Sequence, residues 1–260
     1  MKEVILPVKS VRNPRDMGGL VGFNNRKVKL HRLLRTGTIS QITQEDADFF
    51  KNYGLVQVID LRSPCECVKK PDREIDGVKH INIPVNNVDQ TQAGFSLAEL
   101  QEKYHSDYLA GFKHMIKTYR RMIVNPDSQK AFHKILKLLA DTPKGATIFH
   151  CSEGKDRTGL TAFFILYVLG VDLETIRQDY LFSAEMLNDY RAKRDKESEQ
   201  RGGSFRFRAN LRSLGTVNNE YFDTALITME EEFGGIDQYI EKQLGVDNEL
   251  CGKLRSLYLE

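Results

Sequence analysis

The sequence predicts an α/β fold in which a mostly parallel central sheet is flanked by helices, with extra helices at the C-terminal end. Two observations predict it. Short segments rich in Val and Ile alternate with helical patterns through the middle of the chain, and residues 173–260 show helical patterns alone. With 260 residues, of which 40% are hydrophobic, the chain is long enough to bury one sizeable core. We therefore predict a single domain over residues 1–260.

The first half of the chain is predicted to contain turns, strands and one helix. Residues 13–37 are rich in Gly and Asn, which indicates turns, and 27–34 is predicted to be a strand. A helix is predicted over 43–53, because a threonine can cap it and acidic residues fill its first turn. Runs of Val and Ile predict buried strands over 55–61 and 80–85.

The second half is predicted to be mainly helical, because apolar residues recur there at helical spacing. Glycines interrupt this pattern near 202 and 215. The predicted elements are helices over 96–124 and 127–140, a strand over 146–149, an apolar helix over 157–169 and several helices over 173–260.

Composition and charge exclude several classes of protein. The net charge is +2, from 38 Lys and Arg against 36 Asp and Glu, so we expect no nucleic-acid partner. No apolar stretch reaches the roughly 18 residues that a membrane span requires. The first residues lack the apolar core and cleavage site of a signal peptide. The sequence therefore predicts a cytoplasmic protein with no stable membrane insertion, unless a leader has been removed.

The four cysteines are expected to be reduced thiols. No Cys-x-x-Cys pair and no histidine pair at helical spacing indicates a zinc site, so we expect neither metal nor cofactor. Cys65 and Cys67 are candidates for a resolving thiol if the fold brings one of them close to Cys151.

Residues 150–159, with the sequence HCSEGKDRTG, form a polar loop before the predicted apolar helix. A loop in this position directs backbone N–H groups into one concavity, and the helix N-terminus adds partial positive charge, which suits a tetrahedral oxyanion. Gly154 permits backbone geometry that other residues resist, and the Arg157 guanidinium can bind two phosphoryl oxygens. Cys151 begins this loop, where the positive field favours a thiolate.

A thiolate beneath a bound phosphate monoester favours in-line attack on phosphorus, which gives a phosphocysteine that water then hydrolyses. Charge on the equatorial oxygens would be stabilised by the loop, so this chemistry requires no metal. A hydroxyl group from Ser152 or Thr158 is available to the thiolate. The predicted phosphate-binding residues are Ser152, Glu153, Gly154, Lys155, Asp156, Arg157 and Thr158.

The spacing Cys-x5-Arg is weak by itself, because it occurs a second time at 67–73. That segment contains a proline and no glycine, and neither a Ser or Thr nor an apolar helix follows its arginine. We interpret it as a solvated surface segment.

The segment 150–159 resembles the phosphate-binding loop of cysteine-based protein tyrosine phosphatases, in the version found in the bacterial group that includes the mycobacterial and listerial enzymes. Residues 13–19, 35–37 and 60–63 are similar to other elements of that family, in the same order. The resemblance implies the fold of tyrosine and dual-specificity phosphatases with lid-type helices. It also implies activity on phosphotyrosine, with phosphoinositides as a further substrate class.

The leaving-group oxygen requires a general acid, and two aspartates compete for that role. The resemblance implies a catalytic role for Asp156 in the loop, although a carboxylate beside Arg157 can also serve to orient it. Asp60 ends a predicted strand, and strand C-termini line the sites of open α/β sheets. The alternative for Asp60 is to orient an arginine or to hold the end of the sheet.

Other charged residues do not decide between a protein substrate and a phosphoinositide substrate. Lys155 either reaches a second phosphate or is a solvated loop charge, and Glu153 offsets part of the positive charge of the loop. The segment 191–212 carries eight Lys and Arg against three Asp and Glu. It is interpreted either as a docking surface for an acidic substrate or headgroup, or as a solvated segment between helices.

The leading hypothesis is thus a metal-independent phosphomonoesterase that acts on a phosphotyrosine protein or a phosphoinositide. One alternative is an inactive phosphatase that retains phosphate affinity, although the chain keeps both Cys151 and Arg157. A less favoured alternative is a rhodanese-type sulfurtransferase, which also uses a loop cysteine. The run from Gly154 to Gly159 into a helix suits phosphate better than persulfide chemistry.

Overall fold

A six-stranded sheet lies at the centre of the part of the chain that the computed structural model describes, residues 4–86 and 95–260. The strand order is β1-β2-β3-β6-β4-β5. Strands β3, β6, β4 and β5 run parallel, whereas β1, β2 and β3 pair antiparallel. The strands are β1 (Val4–Ile5), β2 (Arg15–Asp16), β3 (Leu33–Thr36), β4 (Leu55–Asp60), β5 (Lys79–Asn82) and β6 (Ala146–His150).

Helices cover both faces of this sheet, and most of them belong to the second half of the chain. Short 3-10 and π turns occur at Phe23–Asn25 and Tyr239–Gln243. The α-helices are α1 (Gln44–Asn52), α2 (Pro64–Lys69), α3 (Leu97–Tyr104), α4 (Ala110–Val124), α5 (Pro126–Ala140), α6 (Arg157–Val168), α7 (Leu173–Met186), α8 (Asn188–Gln200), α9 (Phe205–Gly215), α10 (Asn219–Phe233), α11 (Ile236–Gln238) and α12 (Asn248–Tyr258).

The sheet separates two hydrophobic clusters, because successive strand residues point to opposite faces. Val58 and Ile148 belong to the smaller cluster, which also contains Phe50 of α1. Ile59 and Phe149 belong to the larger cluster, which includes residues of α4, α5, α6, α10 and α12. Strands buried on both faces explain the continuous apolar runs in the sequence.

The predicted fold class is confirmed, as are most of the predicted elements. The side chain of Thr43 caps α1 by accepting a hydrogen bond from the Asp46 amide. The positive φ of Gly54, +95°, allows the chain to turn from α1 into β4. Two short strands, β1 and β2, and the six-residue helix α2 were not predicted, because each is too short to show a period. The single domain over residues 1–260 stays a prediction.

Two predicted elements differ from the structure. The strand predicted at 27–34 begins only at Leu33, since His31 has a positive φ and Val28 makes just an isolated bridge to Leu259. The helix predicted at 96–124 is two helices. The side chain of Asp107 accepts a hydrogen bond from Leu109 N at 2.9 Å, which favours a turn before α4 over a continued helix.

The sheet brings the C-terminal ends of β4 and β6 together, with Asp60 in register with His150. The loop after β6 therefore begins at the carboxyl edge of the parallel strands, where ligands bind in open α/β sheets. Helix α6 follows the loop and is buried along almost its whole length. Among the described residues, no helix is both long and apolar enough to cross a membrane.

Candidate active site

The loop after β6 holds five backbone amides without a protein acceptor. In residues 4–86 and 95–260, no hydrogen-bond acceptor is found for the amides of 152–156. The next residue, Arg157, begins α6, so these amides lie at the positive end of a helix. Cys151 begins the loop and is only 2% exposed. Amides that lack a protein partner beside a helix N-terminus form a site for an anion.

Gly154 fixes the curvature of this loop. Its φ is +72°, and a Cβ there would lie 2.4 Å from the backbone oxygen of Thr36. Its carbonyl oxygen accepts hydrogen bonds from Asn13 Nδ2 at 2.8 Å and from Arg35 Nη2 at 3.0 Å. The loop therefore turns where only glycine fits, and two buried side chains hold that turn.

A buried ion-pair network stands behind these contacts. Asp179 of α7 pairs with Arg35, and its Oδ1 lies 2.8 Å from Arg15 Nη1. Arg15 also donates to Ser183 Oγ at 2.8 Å. Burial alone would raise the pKa of Asp179, but the two guanidinium groups outweigh it and hold that pKa below its ordinary value. The network ties α7 to β2, β3 and the loop.

Arg157 is held by Glu66 of α2, a residue that the sequence analysis missed. Its Nη1 and Nη2 donate to the two Glu66 oxygens at 2.6 and 2.8 Å. The same carboxylate accepts the backbone amide and the hydroxyl of Ser63 in the capping box of α2. Burial opposes its charge, yet Arg157 and the hydroxyl donors lower the pKa of Glu66 to about 2. The capping-box pattern at 63–66 was the available sequence signal.

The two predicted hydroxyl donors have different partners. Ser152 Oγ donates to Glu66 Oε1 at 2.8 Å, so its hydroxyl is committed to the carboxylate that holds Arg157. Thr158 Oγ1 is buried, and it has no hydrogen-bond partner in the described part of the chain. Of the two, Thr158 is thus the hydroxyl that remains available to the Cys151 sulfur or to a bound oxyanion.

Asp156 lies at the end of the loop among buried polar groups. Its Oδ1 accepts the hydroxyl of Tyr119 at 2.8 Å, and its Oδ2 lies 2.6 Å from Lys155 Nζ. The Tyr119 hydroxyl also lies 2.8 Å from that of Tyr180. Burial and the Asp156 charge raise the pKa of Tyr119 well above its usual value, so this phenol stays protonated. Asp156 is thus held by donors on both oxygens.

The side chain of Lys155 does not take either predicted position. It is buried, and besides Asp156 it donates to the Leu214 carbonyl of α9 at 2.8 Å. Its ammonium is therefore neither a solvated loop charge nor directed at a second phosphate. Glu153 is also buried and lies 3.9 Å from Lys155 Nζ and 3.6 Å from Arg194 Nη1. Both residues contribute backbone amides to the loop while their side chains connect it to α8 and α9.

Asp60 is placed at the end of β4, in an ion pair with Arg62. Arg62 donates to both carboxylate oxygens, with the shortest contact, from Nη2 to Oδ2, at 2.7 Å. Burial would raise the pKa of Asp60, but the charges of His150 and Arg62 hold it well below its ordinary value. Asp72 also accepts from Arg62, at 2.8 Å. The prediction that the segment 67–73 is a solvated surface segment is therefore wrong at Asp72, whose carboxylate pairs with the buried Arg62.

His150 precedes the loop and faces the same carboxylates. Its Nε2 lies 2.8 Å from Asp72 Oδ2 and 4.0 Å from Asp60 Oδ1. Burial opposes a charged imidazole, but Asp60 and Asp72 raise the pKa of His150. These three residues satisfy the distances for a metal cluster. Arg62 already lies between the two carboxylates, however, so the charges form an ion-pair network and do not fit a cation.

Cys67 also belongs to this network. Its Sγ lies 3.1 Å from Asp60 Oδ2, and burial together with that carboxylate raises the pKa of the thiol to about 12. A thiol held protonated is a poor nucleophile, whereas Cys65 is exposed on the same helix. A resolving role for either cysteine stays a prediction.

The chain is similar to tyrosine phosphatases along nearly its whole length. A model of the tyrosine phosphatase family matches residues 6–260. A Cupriavidus necator protein assigned as a tyrosine-protein phosphatase is 28% identical over 98% of this chain and 88% of its own. The triple specificity protein phosphatase PtpB of Mycobacterium tuberculosis is 26% identical, over 88% of this chain and 91% of its own. A tyrosine-protein phosphatase of Nostoc commune is 25% identical, over 85% and 72%.

Glu66→Gln is expected to reduce kcat/KM on p-nitrophenyl phosphate about 100-fold, because Arg157 loses the anion that orients it. The matched control is Glu99→Gln, which makes the same change in an equivalent capping box of α3 that holds no arginine. The control should keep its stability and activity, whereas Glu66→Gln should lower the free energy of unfolding by about 3–5 kcal/mol, because the buried Arg157 loses its counter-charge. Equal losses of stability and of activity in the two variants would contradict this role.

The stabilising effect of Glu66 is expected to depend on pH, with a sign that follows from its lowered pKa. The folded-state pKa of Glu66, about 2, lies below the ordinary value of about 4.3. Its contribution to stability is therefore complete above that ordinary value and is lost as the pH falls towards 2. The difference in unfolding free energy between wild type and Glu66→Gln should shrink over that range in urea denaturation.

Gly154→Ala is expected to abolish most turnover, at least about 100-fold, because the new Cβ collides with Thr36 and distorts the loop. Gly202→Ala is the control, since its φ is +77° but nothing lies within 4 Å of a Cβ. That variant should lose about 1 kcal/mol from backbone strain and keep full activity. Turnover by Gly154→Ala at the level of the control would show that the loop tolerates the change.

Proposed function

The chain belongs to the tyrosine phosphatase family, and we propose that it hydrolyses phosphate monoesters, phosphotyrosine foremost, through a phosphocysteine on Cys151. The observation that carries this proposal is the row of amides at 152–156 with no protein acceptor in the described residues. They lie between Cys151 and the N-terminus of α6, where a phosphoryl group can accept their hydrogen bonds while its phosphorus faces the sulfur.

In the first step, the Cys151 thiolate attacks phosphorus and the bond to the leaving oxygen breaks. The partial positive charge of the α6 N-terminus and the Arg157 guanidinium attract the negatively charged phosphoryl group to the loop. Glu66 binds Arg157 through Nη1 and Nη2, so the plane of the guanidinium is fixed before substrate binds. Because these dipoles and charges are preorganised, they stabilise the equatorial oxygens without rearranging.

In the second step, water attacks the phosphocysteine, the carboxylate of the general acid accepts the proton of that water, and the thiolate leaves. The same amides and Arg157 stabilise the same oxygens, so one loop serves both steps. The buried Thr158 hydroxyl supports this step, since a donor to the departing sulfur stabilises its negative charge.

We assign the general acid to Asp156 and a positioning role to Asp60. Asp156 lies in the loop itself, with donors on both carboxylate oxygens. To act as an acid it must carry a proton, so one of these hydrogen bonds is exchanged when substrate binds. Asp60 has a strongly lowered pKa and four contacts from Arg62, which keep it ionised and unable to donate.

The substrate is proposed to be a phosphotyrosine protein, with phosphoinositides as a further class. The name of the mycobacterial relative, a triple specificity phosphatase, supports a range wider than phosphotyrosine. An inactive phosphate-binding module is disfavoured, because Cys151, Arg157 and the unpaired amides are all present together. A sulfurtransferase is disfavoured because Glu66 fixes Arg157 for a bidentate oxyanion.

Cys151→Ser should lose more than about 1,000-fold of the turnover of a phosphotyrosine peptide, because a serine hydroxyl is a much weaker nucleophile than a cysteine sulfur. Wild-type turnover should persist with a chelator present, measured by phosphate release. A folded wild type that binds the peptide without hydrolysing it would establish the phosphate-binding module. Thiosulfate turnover that depends on cyanide would establish the sulfurtransferase instead.

Asp156→Asn should lower kcat on phosphotyrosine peptide about 100-fold or more, and much less on p-nitrophenyl phosphate. The nitrophenolate is stable enough to leave without a proton, so the ratio of the two losses reports the acid. Asp60→Asn should lower both rates by the same factor, since it disturbs Arg62 and His150 instead. A leaving-group dependence in Asp60→Asn and none in Asp156→Asn would reverse the assignment.

A further inference from the structure

A basic cleft of about 570 Å³ opens beside the phosphate-binding loop. It lies between α2, α3 and α8, with one wall formed by the chain that leads into β2. Cationic side chains outnumber acidic ones in its lining by five to two, although the whole chain has a net charge of only +2. The basic residues are Arg12, Lys69, Lys70, Lys193 and Arg194.

The walls of the cleft contact the catalytic loop directly. Arg194 Nη1 lies 3.6 Å from Glu153, and the charge of Glu153 contributes, after burial, to the raised pKa of Tyr190 in the same wall. The Arg12 carbonyl accepts the Gly37 amide, and the next amide, of Thr38, donates to Ser152 O. A group bound in the cleft is therefore a neighbour of the group bound in the loop.

Most of this positive charge is not neutralised by the protein. Lys69, Lys70 and Lys193 are exposed, and in the described ranges none has a carboxylate within ion-pair distance. Elsewhere on the same surface, Arg208 and Arg212 both pair with Asp195. The basic segment 191–212 thus contains two kinds of cation. Arg208 and Arg212 are paired, and Arg194 faces Glu153, whereas Lys193 has no carboxylate within ion-pair distance among the described residues.

The acidic lining residues do not change this balance. The carboxylate of Glu99 accepts the backbone amide of Ser96 at 2.7 Å, so it is committed to the N-terminus of its own helix. Glu99 and Glu197 both keep their charge, so among the described lining residues five cations face two carboxylates and the net charge stays positive. An anionic ligand is therefore the complement of this surface.

We propose that the cleft binds acidic side chains that flank the phosphotyrosine of a peptide substrate, a role that rests on the proposed function of the adjoining loop. The lining is not only basic: Phe95, Leu97 and Tyr190 add apolar and aromatic surface between the cations. A peptide offers both apolar groups and carboxylates to such a lining, whereas a polyphosphorylated headgroup has no apolar part for it. The mixed lining therefore favours a peptide.

The test compares two phosphotyrosine peptides that differ only in charge, one with Asp and Glu around the phosphotyrosine and one with Asn and Gln. For the wild type at low ionic strength, kcat/KM should be roughly tenfold higher for the acidic peptide. The preference should shrink as salt is added, because exposed cations are screened. Equal kcat/KM values for the two peptides would overturn the proposal.

Two variants locate the preference. Lys69→Glu combined with Lys70→Glu should lower kcat/KM for the acidic peptide roughly tenfold, and Lys193→Glu roughly threefold. Lys196→Glu is the matched control, since this exposed lysine lies on α8 but does not line the cleft. It should keep the preference of the wild type. If the cleft variants kept the preference, or if the control lost it equally, the acidic side chains would bind outside the cleft and the proposal would be wrong.

Further measurements separate the cleft from the loop. p-Nitrophenyl phosphate is too small to reach from the loop into the cleft, so its turnover reports on the loop. A wild type that does not hydrolyse it would contradict the proposed function alone. Affinities of the two peptides for Cys151→Ser then still test the cleft. Soluble inositol polyphosphates that outcompete the acidic peptide, and lose affinity in the same lysine variants, would make the cleft a headgroup site and overturn the peptide assignment.

Discussion

The active loop depends on one interaction, the bidentate pair between Arg157 and Glu66. Arg157 is fully buried at the start of α6, and a buried guanidinium without a counter-charge would cost several kcal/mol. Glu66 supplies that charge from α2, which follows the neighbouring strand β4, and its oxygens also complete the capping box of that helix. One carboxylate therefore starts a helix, orients the arginine and, through Ser152, fixes the first turn of the loop.

Near this pair, two further buried carboxylates stay ionised because each of them contacts a guanidinium group. Asp179 faces Arg15 and Arg35, and Asp60 faces Arg62. These pairs lie beneath the loop, where they position its Gly154 carbonyl and the strand end that carries His150. The consequence for function is a division of roles among acids. Asp156 differs from these carboxylates because it is bound by the Tyr119 hydroxyl and the Lys155 ammonium and by no guanidinium, which fits the acid role proposed for it.

Charge is distributed differently on the outer side of the loop. There the cations of α2 and α8 face solvent, and Glu153 connects α8 to the loop. Buried charges are paired because removing an unpaired charge from water costs free energy. Exposed cations stay hydrated, so they need no counter-charge before a ligand binds. This contrast between paired charges in the interior and a net positive cleft is the physical basis of the proposed recognition of acidic groups beside the phosphate.

The sequence by itself determined the features that depend on neighbouring residues. The alternation of the longer strands and helices, the cap of α1 and the strand–loop–helix unit at 146–168 follow from local spacing, since a backbone loop and the helix after it are contiguous. Only the tertiary structure decided the partners. Glu66 and Arg157 are 91 residues apart, and the Lys155 ammonium turns to a carbonyl 59 residues away. No local pattern encodes such pairings, because they arise only when the sheet and the C-terminal helices pack distant segments against the loop.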